Sequence, residues 1–273
     1  MREVDTGTGQ LLCRVDDHVA TVTFNRPEKR NALGDIVTPA LRQVLLDLEA
    51  DTDVRVIVLT GAGGAFCSGG DVSGMGGPGP DAVSEPTPDD KIRALQHKQA
   101  TLTLRLHELS KPTIAALPGA AAGAGMSIAL ACDLRLGAES AFMVTGFARV
   151  GLSGDYGCSW FLTQLVGPAK AKELFFTGRR ITSGEALTLG LLNEVVPDAD
   201  LPTRTAELAQ DIAHGPPMAL RFMKQNINRA AVADLKTCLD WEADRLVRVA
   251  ATEDHKEAVA AFMEKRAPVF RGR

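Results

Sequence analysis

Residues 54–71 read VRVIVLTGAGGAFCSGGD. Val54, Val56, Ile57, Val58 and Leu59 form a short β-branched and apolar run that glycines end, the pattern of a buried strand. Gly61, Gly63 and Gly64 break it, Phe66 and Cys67 return to the interior, and Gly69 and Gly70 break it again. Such glycines allow tight turns and close approach of a ligand to the backbone. The stretch therefore offers free N–H groups rather than reactive side chains, and without a following Gly-Lys-Ser/Thr it is not a phosphate-cradling loop. A second stretch, KPTIAALPGAAAGAGMSIALACD at 111–133, repeats the design. A strand is expected over Thr113–Leu117, then a break at Pro118-Gly119. The tiny residues Ala120–Gly125 are expected to open a helix that runs through Met126, Ile128 and Leu130. A helix N-terminus carries unpaired N–H groups and partial positive charge. Two such units are either two ordinary corners or two donors aimed at one developing oxyanion.

The totals exclude several classes. At 273 residues and 29.0 kDa the chain is long enough for one sizeable core. Its net charge of −4 argues against general affinity for nucleic acid. Five cysteines lack any CxxC spacing and five histidines lack an HxH or HxxxH pair, so neither a disulfide framework nor a metal site is expected. Three of the cysteines lie in apolar or small-residue surroundings and are expected as buried thiols in a reducing compartment. The start, MREVDTG, lacks the apolar core of a signal peptide, and no apolar run nears the roughly 20 residues that span a bilayer. A cytoplasmic protein with no membrane partner is expected.

Along the chain, Leu11–Phe24 reads as a hairpin turning at Asp16-Asp17, with Ala20, Val22 and Phe24 on one face and Thr21 and Thr23 on the other. Arg26, Lys29 and Arg30 make a basic loop. Thr38-Pro39 predicts a helix start, with Leu41, Val44, Leu45 and Leu48 facing the core. Residues 73–90 are rich in Gly and Pro and read as a surface loop or lid. Lys91–Leu109 is expected to be helical, burying Ile92, Leu95, Leu102, Leu106 and Leu109. Thr182 and Glu185 have the spacing of a capping box. Four helices are expected over 206–213, 218–229, 235–250 and 253–265, with Trp241 and Phe262 as packing residues. Asp71 reads as the cap of a turn. Asp155, in GLSGDYG, reads either as the N-cap of a helix beginning at Tyr156 or as a catalytic acid.

FNRPEKRNAL at 24–33, AFCSGGD at 65–71 and KPTIAALPGAAAGAG at 111–125 together resemble the crotonase (enoyl-CoA hydratase/isomerase) superfamily. The similarity continues through GLSGDYGCSWFLTQLVG, TGRRITSGEALTLGLLNEVVP and FMEKRAPVF, so it covers nearly the whole chain. It implies an α/β fold with a ββα-spiral core over residues 1–200 and a C-terminal helical trimerisation part over 201–273. It also implies a homotrimer or a dimer of trimers, a coenzyme A thioester as substrate with no permanently bound cofactor, and a place in fatty-acyl metabolism.

The resemblance places the two oxyanion N–H donors at Gly70 and Ala124. It places coenzyme contacts at Arg26, Lys29, Ser68, Gly70, Asp71, Val72 and Lys265, with Lys265 near the 3′-phosphate and often from a neighbouring subunit. Hydratases carry one catalytic glutamate at the position of Ser127 and a second near Gly146-Phe147; this chain has neither. Relatives with isomerase or dehalogenase activity carry an acid at the position of Asp155. Isomerase-type chemistry is therefore preferred. Hydratase, hydrolase or C–C lyase activity, or a non-catalytic acyl-CoA-binding or structural role, are the alternatives.

Overall fold

The computed structural model describes residues 1–71 and 86–273. A seven-stranded sheet has the order β1-β2-β3-β4-β6-β8-β11, and a four-stranded sheet the order β10-β9-β7-β5. In the large sheet β1 (Arg2–Val4), β2 (Leu11–Asp16) and β3 (Val19–Phe24) pair antiparallel. From β3 onward, β4 (Val56–Gly61), β6 (Thr113–Leu117), β8 (Leu134–Ala138) and β11 (Glu194–Val196) run parallel. The small sheet pairs β5 (Ala65–Cys67), β7 (Ala120–Ala122) and β9 (Phe142–Val144) in parallel, with β10 (Ile181–Thr182) antiparallel at its edge. The chain thus repeats one unit: a strand in the large sheet, a strand in the small sheet, then helix. That is the expected spiral.

The hairpin forms as its alternation requires. Leu11, Cys13 and Val15 of β2 are buried, as are Ala20, Val22 and Phe24 of β3. The turn is one residue later than expected: Asp16 still pairs with Val19, leaving Asp17 and His18 as a two-residue turn with φ of 43° and 65°. Two left-handed residues are what a tight hairpin demands, since they match the strand twist. The expected strand at Thr113–Leu117 is found at those bounds, with every residue buried.

The run of tiny residues behaves differently from expectation. Ala120–Ala122 forms β7 between β5 and β9, and the helix, α4 (Ala124–Ala131), opens only after Gly123. Alanine has modest strand preference, and here backbone pairing with β5 on one side and β9 on the other overrides it. The first helix also differs at its start. α1 spans Val37–Ala50, with Ile36 at the N-cap and Thr38 and Pro39 inside the first turn, Thr38 buried and capping nothing. Leu41, Val44, Leu45 and Leu48 do face the core.

Of the Gly/Pro-rich loop, residues 73–85 lie outside the described residues. The end of that stretch is ordered earlier than expected. Thr87 accepts from Asp90 N–H while the Asp90 carboxylate accepts from Thr87 N–H, a reciprocal cap that starts α2 (Pro88–Gln99). The helix continues through a π-turn at Ala100–Leu104 into α3 (Arg105–Glu108). Leu102, Leu106 and Leu109 are buried as expected, but Ile92 and Leu95 are exposed, so among the described residues it is the C-terminal half of this rod that packs.

α5 (Cys158–Thr177) kinks at Gly167-Pro168. In α6 (Ser183–Thr188) Thr182 accepts from Glu185 N–H, but the Glu185 carboxylate is drawn off to Arg179, so only half of the expected capping box forms. α7 (Leu201–Ala213), which starts five residues before the expected bound, lies against β3, β4, β6 and β8. α8 (Pro217–Ala230), α9 (Leu235–Ala250) and α10 (Glu253–Glu264) follow, close to expectation. Lys224 of α8 reaches inward to the Asp133 carboxylate at 2.8 Å and to the Lys111 carbonyl at 3.1 Å. Asp133 also accepts from the Thr113 N–H and hydroxyl. A buried ammonium with these partners ties the C-terminal helices to the end of β6. Trp241 is held between the Arg229 and Arg245 guanidiniums, 3.4 and 3.7 Å from its ring centroid. Phe262, expected to pack, is 82% exposed in the single chain, as α10 buries Ala261 and Asp254 instead.

Candidate active site

The two glycine units meet across β5 and β7. A side chain on Gly125 would strike the Cys67 carbonyl oxygen at 2.2 Å, and one on Gly69 the Ala122 carbonyl oxygen at 2.7 Å. Gly69 also has φ of +90°, which side chains disfavour. Only bare backbone lets these segments close on each other. Next to this seam, Leu33 N–H donates to the Gly69 carbonyl and Asp71 N–H donates to the Leu33 carbonyl. Successive groups of an extended chain point to opposite sides, so the intervening Gly70 N–H faces away from Leu33. It donates to nothing among the described residues. Ala124 is the first residue of α4, so its N–H has no acceptor within the helix.

Both residues line one cavity of about 780 Å³. Its wall also includes Arg26, Ser68, Asp71 and Asp155, so six of the residues singled out in the sequence converge there. Lys29 and Lys265 are not part of the wall, and Val72 lies outside the described residues. Lys29 belongs to a 3₁₀ turn, Pro27–Lys29, and is exposed. Lys265 is exposed at the C-cap of α10 in the left-handed conformation, beside the bared Phe262 and Met263. Arg26 turns inward. It donates to the Ala32 carbonyl at 2.9 Å and pairs with the Asp71 carboxylate at 3.4 Å. The adjacent Asn31 is buried and staples this loop to β4 and β5: its amide donates to Ala62 and Ala65 carbonyls, and its oxygen accepts from Arg26 N–H.

Asp155 is not the N-cap of a helix beginning at Tyr156. α5 begins at Cys158, with Gly157 at its N-cap. The carboxylate is nevertheless well held. Oδ1 accepts from the Gln99 side-chain amide at 2.8 Å and from Tyr156 N–H at 2.7 Å. Among the described residues Oδ2 has no donor. The Asp155 carbonyl accepts from Ser127 Oγ at 2.9 Å. Gln99 is the last residue of α2 before the π-turn, a distortion that often re-aims a side chain at a functional site. Tyr156 is buried with φ of 51°, and its hydroxyl accepts from Arg42 Nη2 at 3.3 Å. Burial pushes this phenol above its ordinary value, so it keeps its proton.

The two positions at which the resemblance expects glutamates are occupied in another way. Ser127 is fully buried, lies outside the cavity wall, and bonds Gly123 and Asp155 carbonyls. Phe147 does line the cavity and stacks on Phe175 with ring centroids 5.8 Å apart, making an apolar wall. Gln99, Tyr156 and Arg42 carry no motif; only the fold reveals them.

Comparison with known proteins follows this geometry. The family model described as enoyl-CoA hydratase/isomerase matches residues 14–273. The chain belongs to the enoyl-CoA hydratase/isomerase family. It is 35% identical over 267 residues to 1,2-epoxyphenylacetyl-CoA isomerase of Escherichia coli, covering 96% of this chain and 98% of that one. It is 36% identical over 257 residues to short-chain-enoyl-CoA hydratase of Clostridium acetobutylicum, covering 94% and 95%. The crystal structure of an enoyl-CoA hydratase from Polaromonas sp. JS666 superposes with a TM-score of 0.88 at 33% identity, covering 96% of this chain and 100% of that one. The fold is therefore the crotonase fold, and members of this family act on coenzyme A thioesters. Among the described residues no helix is long and apolar enough to cross a membrane.

Proposed function

We propose that the protein moves the double bond of an enoyl-CoA thioester by proton transfer through Asp155. The observation that carries this reading is the choice of carboxylate. Of the three in the cavity wall, Asp71 pairs with Arg26 and Asp35 is exposed, whereas Asp155 is held from behind on Oδ1 with Oδ2 left over. Serine and phenylalanine stand where hydration would use two further acids. The relatives do not choose the reaction: a 1,2-epoxyphenylacetyl-CoA isomerase is matched at 35% identity and a short-chain-enoyl-CoA hydratase at 36%.

In this mechanism Oδ2 removes a proton beside the thioester carbonyl, and the electron pair moves onto the carbonyl oxygen. Gly70 and Ala124 N–H groups, fixed before reaction, stabilise that oxyanion by roughly 3–4 kcal/mol each. The protonated Asp155 then returns the proton to the far carbon of the allyl system, shifting the double bond. One carboxylate suffices because no water is activated. Arg26, Ser68 and Asp71 are the cavity's coenzyme-side contacts in this reading. Lys265, which is not part of the cavity wall of its own chain, would join them from a neighbouring subunit in a trimer or a dimer of trimers.

The test uses trans-3-enoyl-CoA and trans-2-enoyl-CoA in parallel. Isomerisation raises the ultraviolet absorbance of the conjugated thioester from the first; hydration lowers that of the second. Asp155→Asn keeps the shape but takes no proton, so isomerisation should collapse while acyl-CoA affinity and Tm change little. An unaltered rate in the folded variant, or hydration as the main activity, overturns the proposal.

A further inference from the structure

The α1 side of the cavity carries positive charge that the protein itself does not use. Arg42 lines the wall from α1, half-buried, and among the described residues its side chain makes one hydrogen bond, the 3.3 Å contact with the Tyr156 hydroxyl. Among the described residues its Nε is buried with no partner and no carboxylate pairs with it. Lys98, from α2, lines the same cavity and is likewise unpaired among the described residues. Arg26, the third cation in the wall, is different: Asp71 answers it. An idle, half-buried guanidinium is costly to keep, because a buried charge needs a compensating partner. Tyr156 places this charge near the reacting group, for its backbone N–H holds Asp155 while its hydroxyl contacts Arg42.

We propose that Arg42, assisted by Lys98 and the Tyr156 hydroxyl, binds a carboxylate at the far end of the substrate's acyl group, so that the preferred substrates are ω-carboxyacyl-CoA thioesters. Guanidinium is the side chain that best matches a carboxylate, with paired N–H groups in a planar fork. A plain alkyl chain would leave Arg42 desolvated and unpaired, and would bind worse for that reason. The inference rests on the acyl-CoA reading of this cavity but not on the isomerase step.

Calorimetric titration with saturated thioesters separates the two. The ligands are succinyl-, glutaryl- and adipyl-CoA, each beside an analogue whose terminal carboxylate is replaced by an isopropyl group of similar shape (6-methylheptanoyl-CoA for adipyl-CoA), together with free coenzyme A. At least one diacid thioester should bind about tenfold or more tightly than its neutral analogue, the size expected of a hydrogen-bonded charge pair. Arg42→Gln should erase that preference and leave free coenzyme A unaffected, while Arg42→Lys should keep part of it. The proposal is overturned if no diacid is preferred. It is also overturned if Arg42→Gln weakens acid, neutral analogue and coenzyme A alike, which assigns Arg42 to the coenzyme. Failure of every acyl-CoA to bind would instead remove the functional reading itself.

Discussion

Gln99→Leu removes one of the two donors that hold Asp155 Oδ1 and leaves the other, Tyr156 N–H, in place. A hydrogen bond to a charged group contributes about 1.5–3 kcal/mol. The site is only half-buried, so the lower end of that range applies. Each 1.4 kcal/mol in a barrier is about tenfold in rate, so kcat should fall roughly 10-fold and by no more than about 100-fold. The loss should appear in kcat and scarcely in KM, because Gln99 does not line the cavity and so touches the carboxylate rather than the substrate. Leucine keeps the bulk and the helical preference, so Tm should hold. Gln99→Glu should be the more damaging change despite its closer shape, since it sets a second negative charge against the first. The assay is isomerisation of a trans-3-enoyl-CoA over a full substrate range, with Tm measured in parallel. Full kcat in a folded Gln99→Leu variant would refute the argument that the π-turn aims Gln99 at the catalytic group, and so would a loss confined to KM.

Three further predictions follow from other parts of the molecule. Lys265→Ala should weaken binding of coenzyme A while scarcely changing binding of dephospho-coenzyme A; equal effects on both ligands would take Lys265 out of the phosphate site. Lys224→Met leaves Asp133 without its buried cation and should lower stability by about 2–3 kcal/mol in urea denaturation, with partial recovery in the double variant Lys224→Met/Asp133→Asn. Burial pushes the thiols of Cys67, Cys132 and Cys158 up to about 12 and that of Cys13 to about 11, so a thiol reagent at neutral pH should modify the partly exposed Cys238 first and the other four only on unfolding.

What could be read from the sequence depended on the range of the interaction. The burial pattern of β3, the bounds of β6 and the core face of α1 are set by neighbours a few residues away, and alternation or a helical repeat displays them. The failures have longer causes. Ala120–Ala122 has no local tendency to be a strand; it becomes one because β5 and β9 flank it. Ile92 and Leu95 keep the spacing of a buried face, but no described residue of the single chain buries them. The same distinction divides the site. Gly69 and Gly70 are legible as a break after a strand, whereas the packing of Gly69 and Gly125 against opposing carbonyls depends on the two segments meeting and has no local sign. Gln99 and Arg42 stand 56 and 114 residues from their partners Asp155 and Tyr156, so no local pattern betrays them.

The positions that lost their expected acids have acquired other work, and this bears on how one scaffold supports different reactions. The proposed oxyanion donors, Gly70 and Ala124, are backbone groups beside a seam in which Gly69 and Gly125 lie against opposing carbonyls. Side-chain substitution leaves such backbone groups where they are, so under the proposed mechanism enolate stabilisation would persist while proton-transfer groups change around it. Ser127 illustrates the change. It has no access to the cavity, yet its hydroxyl grips the Asp155 carbonyl and so helps anchor the loop that carries the carboxylate. A glutamate there would have to displace that bond and be accommodated in a fully buried space. Phe147, at the other position, sets an aromatic wall stacked on Phe175 where the resemblance places the second acid. Restoring both glutamates without moving the 151–157 loop would therefore disrupt the hold on Asp155 before it created a site for hydration.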